Sequence, residues 1–421
     1  MPLKSRAGSL CSNLARHNHP RRFKRKPVMH SLPSILRQGL ILLIGCTFFT
    51  VGRSEPFIPA TDDTIVERLP SAYRAGKERL QTLRNQLAED PQNSQRVAAL
   101  AEEYIRLAQA DADPRYYGYA ESVLSPWQDE FHPPIEILRQ RAALHQVRQQ
   151  GGLALSDLEQ LLARQPGDAR AWLDSAGILQ ARGEYAEARR SCERLIGLAE
   201  PLISAVCSSY VLSLQGQAAK SYQLLTKIMR ATPQASPAAR QWALSVQAQI
   251  AARLGDAAQA KRHFQEALKL GPSDKQLLAT YADFLLDQQQ VAAVRELLAD
   301  EITDESLLLR LALAEKQLGG TRLNEYKTTL KSRFDAARLR GDSAHWRDQG
   351  RALLALFDQP AAALALAKQL WVSQKEPADA RLLLESALAA NQPQAAQPVL
   401  EWLDDTGLED VHLALLAARF R

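Results

Sequence analysis

The sequence contains little cysteine, methionine, glycine or proline. Among 421 residues there are 4 cysteines, 3 methionines, 20 glycines and 21 prolines, and aromatic residues make up 6%. This composition excludes a collagen-like chain, and a hydrophobic share of 46% excludes a mostly disordered one. It also excludes a membrane protein with several spans. The composition therefore indicates a globular chain, either as two or three conventional domains or as one elongated array.

Acidic residues are absent from the first 52 positions, which explains the formal net charge of +5. Residues 1–38 contain nine Lys or Arg, and residues 39–52 contain no charged residue. From Arg53 onward the chain has 43 basic and 47 acidic residues, a net charge of −4. Because the basic residues are confined to the N-terminal tail, the body lacks the charge pattern of a nucleic-acid-binding protein, and we predict no nucleic-acid partner.

The N-terminal segment is typical of an export signal. The uncharged core from Gly39 to Gly52 has the roughly 7–15 residues of a signal peptide rather than the roughly twenty of a membrane span. Met29 is an alternative start, which leaves Met29–Gln38 as a compact basic region. We assign residues 1–53 to a signal peptide or N-terminal membrane anchor. Because the positive end stays inside, we predict that the body is exported, in a bacterial periplasm.

Three processing fates of the N-terminal export segment remain open. Small residues at Thr50–Gly52 fit cleavage near Gly52 or Ser54, which would release the body as a soluble protein. The run Leu43-Ile-Gly-Cys46 resembles a lipobox, with Cys46 as the acylated residue, although lipoproteins usually turn polar where Thr-Phe-Phe follows here. In the third case the uncleaved segment tethers the chain to the membrane.

Strand signals are nearly absent after about Thr64, where Ala/Leu-rich helical segments follow one another. Small residues recur in these segments at an interval of 34 residues. Three pairs of alanines show the interval: Ala142 and Ala176, Ala154 and Ala188, and Ala248 and Ala282.

Two segments share more of the repeated pattern than these alanines. One runs from Trp172 through Ala176, Gly183 and Tyr185 to Leu195; the other runs from Leu244 to Pro272. They resemble tetratricopeptide repeats (TPR), and the chain resembles exported bacterial TPR proteins. Small residues let two helices approach closely, glycine makes the turn between them, and proline ends the second helix. The resemblance implies an all-α fold, a right-handed TPR α-solenoid of helix-turn-helix repeats that becomes degenerate toward the C-terminus.

The domain organisation follows from aligning the rest of the chain on this period. We assign residues 64–93 to an N-terminal capping helix region, 94–304 to the TPR array, and 305–421 to degenerate TPR-like helical repeats with a C-terminal cap. We expect about seventeen helices in one elongated domain. In the first repeat, the run from Asp111 to Tyr119 is expected to be an insertion between the two helices.

Catalytic motifs are missing from the sequence. The five histidines after Arg53 are scattered, without metal-ligand spacing to each other or to cysteine. No glycine-rich phosphate loop and no nucleophile elbow is present. We therefore predict a protein that is not an enzyme and that has no cofactor and no metal.

Cys192 and Cys207 are the only cysteines after the export segment. They are placed symmetrically about the turn near Glu200-Pro201, on antiparallel neighbouring helices. Two interpretations remain open: a disulfide formed in an oxidising compartment, or two buried thiols that act as small apolar residues.

The TPR resemblance also implies a binding groove. In TPR arrays the second, fifth, ninth and twelfth positions of each first helix line the concave face, on one side of the helix. Carried onto this sequence, the positions that line the groove are Arg139, Gln146, Arg170, Gln180, Tyr210, Trp242, Gln249 and Asp283.

Two functions are compatible with such an array. One is an extracytoplasmic scaffold that binds a peptide segment or protein partner in the groove. In that case an extended segment with a carboxylate near one end and apolar side chains after it would suit the groove residues. The other is a structural subunit of a cell-envelope assembly that docks by its outer faces.

Overall fold

The computed structural model describes residues 71–271, 274–342 and 345–421. These residues form twenty α-helices and two short 3₁₀ segments, and this part of the chain contains no strand. The prediction of an all-α fold is therefore confirmed. The predicted export segment, with Met29 and Cys46, lies outside the described residues. No helix among the residues described is both long enough and apolar enough to cross a membrane.

The helices follow one another in pairs, after a first helix α1 that stands alone before the array. The first ten are α1 Ser71–Glu89, α2 Ser94–Asp111, α3 Arg115–Leu124, α4 Ile135–Val147, α5 Gly151–Arg164, α6 Ala169–Ala181, α7 Tyr185–Glu193, α8 Pro201–Ser213, α9 Ala218–Ala231 and α10 Pro237–Arg253. The last ten are α11 Ala257–Leu268, α12 Lys275–Asp287, α13 Val291–Leu297, α14 Glu305–Leu318, α15 Leu323–Leu339, α16 Trp346–Ala355, α17 Pro360–Ser373, α18 Pro377–Ala389, α19 Gln397–Thr406 and α20 Val411–Ala417.

Nine helix pairs run from α2–α3 to α18–α19, and α20 follows the ninth pair. Small residues at the 34-residue interval are buried where the helices cross: Ala142 and Ala176 are 3% and 2% exposed, and Ala154 and Ala188 are fully buried. Helix pairs with buried small residues at this interval confirm the TPR resemblance at the level of the fold. The unit Pro70–Arg421 is an α-solenoid.

Local sequence determines where the helices of a pair begin and turn. Asp168 caps α6 because its carboxylate accepts the backbone N–H of Ala171 at 2.9 Å. Gly183, Gly216 and Gly255 lie in the turns within the third, fourth and fifth pairs, with φ of +79°, +68° and +83°. Glycine adopts these left-handed angles without steric cost, so each turn reverses the chain in a few residues.

The expected insertion in the first pair is wrong. Helix α2 continues to Asp111 and α3 begins at Arg115, so only three residues separate them. Tyr116 and Tyr119 lie on α3, where their rings contact the ring of Tyr104 on α2 at centroid distances of 6.1 and 5.6 Å. The aromatic run is therefore a packing surface within the first helix pair.

A disulfide joins the third pair to the fourth. Cys192 on α7 and Cys207 on α8 are bonded, with their Cα atoms 5.5 Å apart. Both side chains are buried, in the same hydrophobic cluster as Val211 and Leu383.

The C-terminal helices return to the middle of the array. The backbone N–H of Lys375 donates to the carbonyl of Ala181 at 2.7 Å. The carboxylate of Glu409 accepts the backbone N–H of Ala218 at 2.6 Å. One hydrophobic cluster combines residues of α6, α7 and α8 with residues of α17 to α20. The ninth pair and α20 therefore cover the turns of the third, fourth and fifth pairs, and the returning chain lines one side of a cavity.

Candidate functional site

The cavity is a concave site with a volume of about 650 Å³. The first helices of the fifth to ninth pairs form its wall, namely α10, α12, α14, α16 and α18, and the start of α20 closes one side. Because each pair repeats the same packing with a small rotation, the first helices present corresponding faces to one interior.

Asp283 on α12 lies between two arginines. Its carboxylate is 2.7 Å from Arg310 Nη2 on α14 and 2.9 Å from Arg351 Nη1 on α16. Burial alone would raise the pKa of Asp283, but the two guanidinium groups hold that pKa below its usual value. Arg310 also contacts Asp348 at 3.1 Å. Three consecutive first helices are thus joined by ion pairs on the cavity wall.

The other ion pairs of the cavity wall involve Arg347 and Arg381. Arg347 on α16 binds Asp379 at 2.6 Å and also contacts Glu376. Burial would lower the pKa of Arg347, but the two carboxylates raise it well above its usual value. Arg381 on α18 binds Asp287 and Glu385, each at 2.7 Å. The pair with Asp287 crosses the cavity from the ninth helix pair to the sixth.

Arg253 differs from the other arginines of the wall. Arg253 is the last residue of α10 and is only 8% exposed. Its guanidinium donates to the Ser213 carbonyl at 3.0 Å and to Ser213 Oγ at 2.6 Å. Within the described residues no carboxylate lies within ion-pair distance of it. Burial lowers the pKa of Arg253, although Asp410 and Glu409 oppose this effect from farther away.

Apolar side chains cover another part of the wall. Phe264 and Phe284 are 1% and 6% exposed, and their ring centroids are 5.6 Å apart. Leu286, Leu313 and Leu354 also line the cavity. The site thus combines charged groups that are mostly paired with each other and an aromatic and aliphatic surface.

Three of the eight residues predicted to line a groove lie on this cavity: Tyr210, Gln249 and Asp283. The Tyr210 hydroxyl donates to Gln249 Oε1 at 3.3 Å. Burial raises the pKa of Tyr210 to about 12, so this phenol stays protonated at neutral pH. Asp283 is neutralised by its two arginines.

The other five residues lie outside the cavity. Arg139 pairs with Asp168, and Arg170 pairs with Asp174 at 3.0 Å and is 75% exposed in its side chain. Gln146 is exposed and Gln180 is half-buried. Trp242 is partly buried and packs against the clusters of the fourth and fifth pairs and of the returning helices.

The arginines of the cavity wall were missed from the sequence because the groove positions were not extended beyond Asp283. The 34-residue interval from Gln249 to Asp283 continues to Gln317, Arg351 and Glu385, and all five residues line the cavity. The same interval separates Arg347 from Arg381. The period was therefore the signal that could have identified them.

Within the ranges described, no group of three or more His, Cys, Asp or Glu side chains is arranged to hold a metal ion. Four carboxylates of the cavity wall each pair with an arginine, namely Asp283, Asp287, Glu376 and Glu385. Asp410 instead caps α20, accepting the backbone N–H groups of His412 and Leu413 at 3.0 Å.

The comparison with known proteins gives structural neighbours but no sequence relative. No protein-family model matches the chain, and neither does any curated protein sequence. A tetratricopeptide repeat protein from Parabacteroides merdae is similar at 16% identity and a TM-score of 0.42, over 62% of this chain and 93% of that one.

Two further solved structures are similar over more of the chain. The APC/C hetero-tetramer Cut9-Hcn1 has 15% identity and a TM-score of 0.46, over 82% of this chain and 66% of that one. An IFIT1 monomeric mutant with Gppp-AAAA has 14% identity and a TM-score of 0.37, over 83% and 79%. At these identities and TM-scores, no partner, ligand or activity is carried over from the neighbours to this chain.

Proposed function

We propose that this chain is a non-enzymatic extracytoplasmic scaffold that binds a peptide segment or protein partner through the first helices of its second and third pairs. One observation carries the proposal. Gln146 on α4 and Gln180 on α6 occupy the same position of consecutive first helices, 34 residues apart, and lie outside the cavity, where Gln146 is exposed and Gln180 is half-buried. Arg139 and Arg170 lie on the same two helices. This row of amides and guanidinium groups suits the backbone and carboxylates of an extended segment.

The disulfide supports the extracytoplasmic location. Disulfides persist in oxidising compartments and are rare in the cytosol, where thiols are kept reduced. The Cys192–Cys207 bond agrees with the basic head and short apolar core of the N-terminal segment. Both observations support export, through different physical properties of the chain.

Co-purification of partners from the cell envelope tests the scaffold proposal. The tagged full chain is compared with Arg170→Ala, which removes a guanidinium from the row. Arg189→Ala is the matched control, since Arg170 and Arg189 each pair with an acid four residues on, at 3.0 and 3.6 Å, but Arg189 lies on the second helix α7. We expect Arg170→Ala to lose the partner while Arg189→Ala retains it.

The alternative function is a structural subunit of an envelope assembly that docks by its outer faces. The return of the C-terminal helices favours it, because the chain itself covers the turns of the third to fifth pairs. Leu339 and Val372 are 86% and 85% exposed and offer apolar contact on the surface. If Leu339→Glu or Val372→Glu abolishes partner recovery while Arg170→Ala does not, the scaffold proposal is wrong and docking by the outer faces is supported.

A further inference from the structure

We propose that the cavity binds a small organic carboxylate, with the carboxylate paired to Arg253 and an apolar remainder against the phenylalanine wall. This site is distinct from the surface of the second and third helix pairs, and it does not depend on the scaffold function. The argument has three parts, which concern charge, geometry and size.

The charge argument rests on the difference between Arg253 and the other four arginines of the wall. Arg310, Arg347 and Arg381 each bind two carboxylates, and Arg351 binds Asp283. Arg253 has only the neutral oxygens of Ser213. A buried charge without a counter-charge is costly, so an anion that enters the cavity gains most at this residue.

Two acids that act on the charge of Arg253 are engaged elsewhere. Glu409 accepts the backbone N–H of Ala218 at 2.6 Å, and Asp410 caps α20. They favour the charged form of Arg253 from beyond ion-pair distance but do not contact it. Neither of these two side chains therefore provides a counter-charge next to the guanidinium.

The geometry of the guanidinium favours a carboxylate. Arginine has five N–H donors in a planar fork, and two of these bonds are made to Ser213. The remaining donors suit the two oxygens of a carboxylate, which arginine binds in a bidentate manner. Phe264 and Phe284 line the same cavity and supply an apolar surface for the rest of the ligand.

The size of the cavity favours a small molecule over a polypeptide segment. A volume of about 650 Å³ lies within the range of roughly 300–1,000 Å³ that is typical of small-molecule sites. The returning chain contributes Asp410, Val411, His412 and Leu413 to the lining of the cavity.

Binding of 3-phenylpropionate to the full-length protein tests the proposal, with 3-phenylpropionamide as the neutral match of the same shape. Isothermal titration calorimetry and thermal unfolding are the measurements. We expect saturable binding of the acid, at an affinity at least about tenfold above that of the amide, because a charge-assisted pair is lost in the amide. Equal binding of acid and amide, or no binding of the acid, overturns the proposal without the need for any variant.

Variants of the wall locate the site. Arg253→Gln should weaken binding of 3-phenylpropionate by about tenfold or more, whereas Arg351→Gln, which removes a paired arginine from the same wall, should change it by less than about threefold. An equal loss in both variants overturns the role of Arg253. If Arg253→Gln does not fold, Ala252→Trp tests whether the ligand binds in the cavity. The indole should fill the cavity beside an intact Arg253 and abolish binding of 3-phenylpropionate.

Two further probes test the ligand class. If inorganic phosphate binds as tightly as 3-phenylpropionate, the site recognises negative charge alone. That result overturns the part of the proposal that concerns the apolar wall. An octapeptide with a free C-terminal phenylalanine that binds as tightly overturns the restriction to small molecules. None of these outcomes depends on recovery of an envelope partner, so this proposal and the scaffold function can fail separately.

Discussion

Asp283 illustrates at the residue scale how the cavity wall tolerates so many charges. Its carboxylate lies between Arg310 and Arg351, and Arg310 in turn contacts Asp348. Replacing a whole buried ion pair by apolar residues is often neutral, but removing one partner leaves a charge without compensation and is destabilising. Each charge of this group therefore has a partner of opposite sign on a neighbouring first helix.

The first prediction concerns Asp283→Asn. We expect this change to lower the free energy of unfolding at pH 7 by about 2 kcal/mol, because Arg310 and Arg351 lose a shared counter-charge. The folded-state pKa of Asp283 lies below the ordinary value of 3.8. The stabilisation is thus present above pH 3.8 and is lost as the pH falls through the folded-state pKa. Urea unfolding at several pH values should show a gap between wild type and variant that closes below about pH 4.

The control for this prediction is Asp335→Asn on α15. Asp335 also contacts two cations, Lys331 and Arg338, but its side chain is 41% exposed. Exposed ion pairs contribute little, so its urea midpoint should match that of wild type. Equal destabilisation by both changes would contradict the structural role assigned to the Asp283 ion pairs.

At the scale of the helices, the disulfide joins the end of α7 to the middle of α8. The two bonded cysteines are 15 residues apart in sequence. The same hydrophobic cluster includes Leu383 of α18 and Trp402 of α19, so the bond lies beneath the returning C-terminal helices. Its loss affects the part of the array against which those helices pack.

The second prediction is that the double change Cys192→Ala with Cys207→Ala lowers the free energy of unfolding by about 3 kcal/mol. A closed loop of this length restricts the unfolded chain by about that amount in the chain-entropy model. Denaturant unfolding with and without dithiothreitol measures the effect. Reductant should destabilise wild type but leave the double variant unchanged. Mass spectrometry after alkylation without reductant should find no labelled thiol at either position, and two labelled thiols would refute the bond.

The turn at Gly216 lies close to the backbone of the returning chain at Gly407. A Cβ atom added at Gly216 would lie 2.9 Å from the carbonyl oxygen of Gly407, and neither backbone can give way cheaply. Gly319 has a similar φ of +64°, against +68° for Gly216, but open space around it. The two glycines therefore separate the cost of the backbone angle from the cost of the contact.

The third prediction compares Gly216→Ala with Gly319→Ala. Each change should lower the free energy of unfolding by about 1 kcal/mol, because alanine is strained at the left-handed angle. Only the alanine at position 216 also collides with the Gly407 carbonyl and displaces α19 and α20. We expect faster hydrogen exchange in residues 407–417 for Gly216→Ala alone. The same exchange in both variants would show that this contact does not hold the C-terminal return in place.

At the scale of the whole molecule, the return of the C-terminal helices divides the interaction surfaces. The first helices of the second and third pairs carry amides and arginines outside the cavity, whereas those of the fifth to ninth pairs line it. Contacts between residues far apart in sequence stabilise this arrangement, such as the bond from Tyr185 Oη to the Lys375 carbonyl at 3.1 Å. A partner and a small ligand would therefore use different parts of one array.

The fourth prediction concerns the compartment. A reporter fused after residue 60 should be active outside the cytoplasm, because the basic head and the uncharged core of residues 39–52 direct export. Activity of a cytoplasmic reporter at the same fusion point would contradict it. Labelled palmitate that is incorporated by wild type and lost in Cys46→Ala would show that the exported chain is a lipoprotein.

The sequence by itself determined the all-α array and its 34-residue period. Helix pairs form from local patterns, and residues such as Ala142, Ala176 and Ala188 mark where two neighbouring helices must approach closely. It also brought Cys192 and Cys207 together as neighbours across one turn. These features involve contacts within one pair or between adjacent pairs, which lie within a few tens of residues.

Only the tertiary structure decided which of the repeated positions meet in the cavity. The contact between Ala181 and Lys375 depends on the rotation added at each of the intervening helix pairs, and small differences in side-chain packing accumulate along the array. For the same reason the sequence did not show that Arg253 would lack a carboxylate partner while Arg347 and Arg381 acquired two each. The pairing of a charged side chain depends on long-range closure, and no local pattern records it.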